Sequence, residues 1–218
     1  MKPAVIFDMD GVLVDSARAH LRSWEMLAEE EGLTMTPQQF KESFGRPSRD
    51  IIRLFFGQDR DDQAVRRLDD RKEALYRDLI RDHIPVMDGA LALLERLRKE
   101  GMALAVGTSG PPANVDLVLK GLGLEACFAA VVTGADVTRG KPDPHVFQLA
   151  AGRLGAAPEA CVVVEDAPAG IEAAHRAGMK AVALDSTHPA AAFTNADRVI
   201  HTLTDLTPEV IIGMIRPG

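Results

Sequence analysis

The chain has 218 residues, 46% hydrophobic and 26% charged, with a formal net charge of -7. That length accommodates one large domain or a core with a small accessory domain, and the balance is that of a folded globular protein. The acidic excess excludes a broad nucleic-acid footprint, which needs clustered lysine and arginine, but not a small phosphorylated partner whose charge is met locally.

The first element is the apolar run Val5-Ile6-Phe7, which leads into Asp8-Met9-Asp10-Gly11-Val12-Leu13-Val14-Asp15-Ser16. Such a run reads as a strand buried on both faces, with Gly11 turning the chain away at its end. Because strand side chains alternate, Asp8 and Asp10 are expected on one side. Two close anions repel unless a cation or a shared proton relieves them. A metal at the first strand end is therefore expected, and with it chemistry on an anionic substrate. The run is short and carries two aspartates, so it is not expected to be a signal peptide. No uninterrupted apolar stretch is long enough to span a bilayer. Cys127 and Cys161 lack a CxxC spacing and read as reduced core residues. A cytoplasmic protein without membrane partners is expected; its oligomeric state is left open, with a monomer plausible.

From about Ala17 to Asp82 the chain is rich in Glu, Arg, Leu, Gln and Asp at helical spacing. Leu21, Trp24, Leu27 and Ala28 form one apolar face. Gly32 ends that helix, and Thr36-Pro37 opens a second with a cap and a first-turn proline. A third is capped by Ser48 and carries Ile51, Ile52, Leu54 and Phe55; a fourth takes Leu68, Leu75, Tyr76 and Leu79 as its core side. The segment reads as a small all-helical domain, residues 16–85, inserted into a core of residues 1–15 and 86–218.

Beyond that insertion strands and helices alternate. Helices are expected over 90–99, 113–120, 145–154 and 169–177, and strands over 103–108, 130–133, 161–165, 180–184 and 198–200. This predicts an α/β fold, a Rossmann-like doubly wound parallel sheet with helices on both faces. Ligands bind such sheets beyond the carboxyl ends of the strands.

At those ends stand Asp8 and Asp10, Thr108 and Ser109, and Glu165 and Asp166, with Gly140-Lys141-Pro142-Asp143 following the third strand. One such carboxylate is explained equally well as a helix cap. A set of them at successive strand ends is not. Magnesium takes hard oxygen ligands, usually one or two carboxylates with waters and a substrate phosphate, and Asp8 and Asp166 can supply them. With the metal and Lys141 neutralising phosphate oxygens, an aspartate can attack phosphorus in line. Asp10 is placed to protonate the leaving oxygen and then to activate water. Thr108 and the N–H groups of the following helix start would hold the transferring phosphoryl group.

Asp8-Met9-Asp10-Gly11-Val12, Thr108-Ser109, Lys141-Pro142-Asp143 and Glu165-Asp166 resemble the four ordered motifs of the haloacid dehalogenase-like hydrolases. The likeness covers essentially the whole chain, including the helical insertion, which matches that family's cap. It implies Asp8 as nucleophile and Asp10 as general acid and base. It implies Thr108, with Ser109, and Lys141 as phosphate ligands. Magnesium is then held by Asp8, Asp166 and the Asp10 backbone carbonyl, with Glu165 acting through water. The second aspartate, Asp10, favours the phosphoryl-transfer branch over the dehalogenases, which do not keep it.

A helical lid would exclude water and set specificity, hinging near Val14-Asp15 and Pro85-Val86-Met87. Its candidate substrate contacts are Arg46, Ser48, Arg49 and Lys72, of which Arg49 and Lys72 resemble positions in sugar-phosphate mutases of the family, as does His20. An exposed arginine or lysine on a small helical domain is equally a solvated surface residue. Those mutases follow the strand-end hydroxyl with a lysine-bearing stretch, whereas this chain has Ser109-Gly110-Pro111-Pro112-Ala113-Asn114. A second phosphate would then lack an obvious cation, which favours a phosphatase over a beta-phosphoglucomutase-like enzyme.

The same residues bear on three other classes. Gly107-Thr108-Ser109-Gly110 resembles a serine-hydrolase elbow only superficially, since Pro111 takes the place of the second glycine. A phospho-acceptor or binding module of receiver type would gather similar residues but carries no insertion after the first strand. A dinucleotide site lacks its Gly-x-Gly-x-x-Gly turn.

Overall fold

The computed structural model describes residues 3–43 and 48–215, with Glu42 described by its backbone alone. In chain order it runs β1 (Ala4–Phe7), α1 (Ala17–Glu30), α2 (Pro37–Ser43), α3 (Ser48–Phe56), α4 (Asp62–Ile80), α5 (Ala90–Lys99), β2 (Ala103–Gly107), α6 (Pro112–Gly121) and β3 (Ala130–Val132). There follow α7 (His145–Leu154), β4 (Cys161–Glu165), α8 (Pro168–Arg176), β5 (Lys180–Leu184), β6 (Arg198–Ile200) and α9 (Pro208–Ile215). The chain divides into two compact units, one reaching Asp15 and resuming at Pro85, the other Ser16–Ile84. Among the described residues no helix is long and apolar enough to cross a membrane.

The first unit is built on a parallel sheet in the order β3-β2-β1-β4-β5-β6. The four residues of β1 and the five of β4 are buried throughout, because helices cover both faces. On one face Ala4 and Ile6, Cys161 and Val163, and Ala181 and Ala183 pack with Phe147 of α7 and Ile171 of α8. The alternate residues of the same strands turn to the other face, where α5 lies on β2 and α9 on β4. This is the doubly wound α/β core that the alternating pattern predicts.

Chain order reverses at the middle of this sheet. From β1 the chain moves outward to β2 and β3, then returns to the far side of β1 as β4. The switch point between β1 and β4 is where open α/β sheets leave a crevice at their carboxyl edge. The register pairs Phe7 with Val164, so the next residues along, Asp8 and Glu165, arrive at that edge side by side. At the two points where the chain leaves and re-enters this unit, the Asp15 N–H donates to the Pro85 carbonyl at 2.7 Å and the Met87 N–H to the Leu13 carbonyl at 3.0 Å. Pro85 thus lies with the first unit.

The second unit is all helical, with α1 and α3 packed on α4. Trp24, Leu27, Ala28, Ile51, Ile52, Phe56, Val65, Leu68 and Leu75 form its core. Gly32, at φ 69°, closes α1 in the left-handed conformation. Leu33 and Gly32 N–H groups then satisfy the Ala28 and Glu29 carbonyls at 2.7 and 3.2 Å. Thr36 and Gln39 exchange side-chain and backbone hydrogen bonds across the start of α2. Two expected core residues point outward instead: Leu54 is 49% and Leu79 41% exposed. The helical step of four from Ile52 and Tyr76 leads to Phe56 and Ile80, and those take the buried places.

Candidate active site

β1 ends at Phe7, one residue before the first aspartate. The Asp8 N–H still donates to the Val164 carbonyl at 3.0 Å, which fixes its backbone as a one-step extension of the ladder. The chain then coils: the Met9 carbonyl accepts from Val12, Leu13 and Val14 at 3.3, 2.8 and 3.0 Å. Asp10 therefore lies in the turn just beyond the strand, where its charge still acts on Asp8. The two carboxylates expected at the end of the fourth strand crowd against Asp8. Carboxylate oxygens of Asp8, Glu165 and Asp166 lie within 4.8 Å of one another, all three buried.

At an effective dielectric of about 20, each such pair repels by at least roughly 3 kcal/mol when both are ionised. Lys141 offsets part of this. Its Nζ donates to Asp8 Oδ1 at 2.9 Å and to Glu165 Oε1 at 2.5 Å. Glu165 Oε2 accepts the N–H groups of Asp166 and Ala167, both at 2.9 Å, at the start of α8. Its carboxylate fills the space above Gly170, where a Cβ would overlap it. Three carboxylates sharing one ammonium leave an excess of negative charge.

Burial, reinforced by that imbalance, sets the proton affinities. Burial pushes the Asp8 carboxyl up to about 7; Lys141 pulls the other way, and Glu165 and Asp10 reinforce the rise. Burial also raises Asp166 well above the usual carboxylate range, with Glu165 and Asp8 adding repulsion. For Lys141 burial acts against the charge, but Asp8 and Glu165 outweigh it and hold the ammonium above its ordinary value. The two partners of one ion pair are both raised because a single cation is contested by several anions. The donor set is hard oxygen, buried, and short of positive charge, which fits a divalent cation of the magnesium type.

Thr108 is buried directly beyond β2, its N–H donating to Val132 at 3.0 Å and its Oγ1 accepting from the Gly110 N–H at 3.1 Å. A Cβ at Gly110 would lie 3.4 Å from Thr108 Oγ1 and 3.6 Å from Asp10 Oδ2, so that bare backbone sits between the two side chains. Ser109 is exposed, with its carbonyl against Gly134. The structure thus brings Asp8, Glu165, Asp166 and Lys141 into one cluster, with Asp10 and Thr108 flanking Gly110 nearby.

In the helical unit, Lys72 of α4 is only 3% exposed. Its Nζ contacts His20 Nδ1 and Glu73 Oε1, both at 2.8 Å, and lies 5.3 Å from the Trp24 ring centre. An ammonium only donates, so in this contact Lys72 is the donor and His20 Nδ1 the acceptor. The His20 ring stacks on Tyr76 with centroids 4.0 Å apart. Arg49 is not part of this cluster; it is exposed and meets Asp69 at 3.7 Å. Ser48 begins α3, and Arg46 lies outside the described residues.

The sequence gives no signal for the loop after β5. There Ser186 Oγ donates to the Gly11 carbonyl at 2.6 Å, and Thr187 Oγ1 is 2.5 Å from Asp166 Oδ2. Gly11, at φ 74°, carries no Cβ that would otherwise overlap that carboxylate.

The sequence profile of the haloacid dehalogenase-like hydrolases matches residues 5–184. The chain is 33% identical over 215 residues to validoxylamine A 7'-phosphate phosphatase of Streptomyces hygroscopicus subsp. limoneus, an alignment covering 94% of this chain and 96% of that protein. It is 32% identical over 215 residues to beta-phosphoglucomutase of Bacillus subtilis (strain 168), covering 95% and 93%. A solved HAD hydrolase, family IA, variant 3, from Entamoeba histolytica HM-1:IMSS superposes with a TM-score of 0.91 at 26% identity, covering 99% of this chain and 100% of that one. The chain belongs to the haloacid dehalogenase-like hydrolases, in the group that holds beta-phosphoglucomutase and the phosphoglycolate phosphatase-like enzymes.

Proposed function

We propose that the protein is a magnesium-dependent phosphatase that hydrolyses a small phosphorylated metabolite, of sugar-phosphate or phosphoglycolate type, through an aspartyl phosphate. The observation that carries this reading is the buried Asp8, Glu165 and Asp166 cluster with Lys141 among it, at the switch point of the sheet.

In this reading Asp8 is the nucleophile. Its rigid placement one step beyond β1 presents a carboxylate oxygen for in-line attack on phosphorus. Lys141 neutralises charge on the transferring group, and Thr108 with the N–H groups ahead of α6 holds its oxygens. Asp10, outside the most crowded part of the cluster, donates a proton to the leaving oxygen and then takes one from water attacking the aspartyl phosphate. Asp8, Asp166 and the Asp10 carbonyl would hold the metal, with Glu165 assisting through water. When bound, such a cation would supply charge neutralisation for phosphate oxygens approaching a carboxylate. The Ser16–Ile84 unit acts as a cap that excludes water, with Lys72, His20 and Arg49 as its candidate substrate contacts.

A second reading is a sugar-phosphate mutase. The hydrogen-bonded His20 and Lys72 pair favours it, together with the alignment to the Bacillus enzyme. The lysine-free Ser109 to Asn114 stretch favours hydrolysis. A panel of sugar phosphates, phosphoglycolate and nucleotides with magnesium tests both, with beta-glucose 1-phosphate supplied with and without its bisphosphate. Repeated release of inorganic phosphate supports the phosphatase. Isomerised sugar phosphate in its place supports the mutase, and a single labelling without turnover supports a phospho-acceptor module.

A further inference from the structure

The loop after β5 reaches both halves of the switch-point crevice. Ser186 Oγ holds the Gly11 carbonyl, in the turn after β1, at 2.6 Å. Its neighbour Thr187 holds Asp166, after β4: Oγ1 is 2.5 Å from Oδ2 and 2.9 Å from the backbone carbonyl. A hydroxyl has one proton to give, and a carboxylate at the shorter distance is the stronger acceptor. His188 Nδ1 stands 3.0 Å from that carbonyl and 3.1 Å from Thr187 Oγ1, and in its Nδ1–H tautomer it is a donor to both. With His188 in that tautomer, the Thr187 proton is left for Oδ2.

The other side of the same oxygen is closed by backbone. Gly11 lies so near that a Cβ there would overlap Asp166 Oδ2, and Thr187 Cγ2 would be 3.0 Å from it. Oδ2 is thus wedged between Gly11 and the threonine, which locks the carboxylate plane and leaves Oδ1 as the oxygen with freedom to serve a cation. Carboxylates that ligate metals are commonly fixed by such a partner, and removing it typically costs ten- to a hundredfold in affinity.

We propose that Thr187 is a positioning residue for the divalent cation, acting through Asp166, and that Ser186 anchors its loop to Gly11. This rests on the reading of Asp8, Glu165 and Asp166 as the metal site.

Binding of Mn2+, followed by the electron paramagnetic resonance signal of the free ion, tests it without reference to turnover. Thr187→Val should weaken Mn2+ binding about ten- to a hundredfold, while Thr187→Ser, which keeps the hydroxyl, should bind within a few-fold of wild type. Thr187→Ala takes the place of the valine variant if the latter melts early in EDTA. Asp166→Asn should lose the site. Wild-type affinity in both Thr187→Val and Thr187→Ala, with binding lost in Asp166→Asn, overturns the role of Thr187 alone. Equal binding by wild type and Asp166→Asn overturns the metal reading and this proposal with it.

Discussion

Lys141 Nζ lies 2.9 Å from Asp8 Oδ1, joining the loop after β3 to the first residue beyond β1. Both side chains are about nine-tenths buried, so little water screens the pair. Removing one partner of such a pair leaves the other uncompensated. Lys141→Met should destabilise the metal-free protein by about 3–5 kcal/mol in urea unfolding. Saturating magnesium should recover part of that loss, because it replaces the missing positive charge. A variant as stable as wild type in EDTA would contradict the charge balance described here.

Burial of Asp8, reinforced by the same crowding, makes metal-free stability depend on pH. The Asp8 carboxyl binds its proton up to about 7 in the folded chain, against 3.8 as its ordinary value. Between those limits the folded state holds more protons than the unfolded one, so stability falls as pH rises through that window. Melting temperatures in EDTA should decline from about pH 4 to about pH 7, and Asp8→Asn should flatten the decline. A rising or level profile for the wild type would count against the cluster carrying excess negative charge.

Gly170 is the floor on which the Glu165 carboxylate rests. Gly170→Ala puts a methyl group into that carboxylate, which is held by Lys141 and by two backbone N–H groups at the start of α8. Overpacking of this kind costs about 1–3 kcal/mol. Displacement of Glu165 should also lower turnover. Chemical denaturation beside a phosphate-release assay measures both, and an unchanged variant would show that Glu165 has room to move.

Lys72 makes a corresponding test in the helical unit. Its ammonium is buried among His20, Glu73 and the Trp24 ring. Lys72→Met fills similar volume but leaves the Glu73 carboxylate without this cation, at an expected cost of about 3 kcal/mol. If Lys72 also meets substrate, KM rises while the pH profile of phosphate release stays in place. A loss of stability with KM unchanged assigns it to the packing of that unit alone.

The strands were legible because most are short apolar runs, buried throughout in β1 and β4, and β4, β5 and β6 have the bounds that the pattern predicts. The helix faces were legible to within a step, failing at Leu54 and Leu79, where the apolar residue next to or two along from the predicted one is buried. The anion cluster was legible as a set of residues at the strand ends, but not as a register. Asp8 and Asp10 are neighbours in sequence, but the pairing of Phe7 with Val164 is what sets Asp8 against Glu165, and parallel register between distant strands leaves no mark in local spacing. Ser186 and Thr187 were invisible for the same reason. A serine and a threonine after a strand are ordinary loop residues until the fold lays them against Gly11 and Asp166.

The central claim, that Asp8 carries the phosphoryl group, is tested most directly by acid-quenching a single turnover and mapping the modified peptide by mass spectrometry. The account predicts a phosphoryl group on Asp8 that forms and decays with substrate, and a loss of turnover on the order of 10⁴-fold or more in a folded Asp8→Asn variant. Phosphate release at an undiminished rate from Asp8→Asn, with no phosphoryl group ever found at position 8, would contradict it.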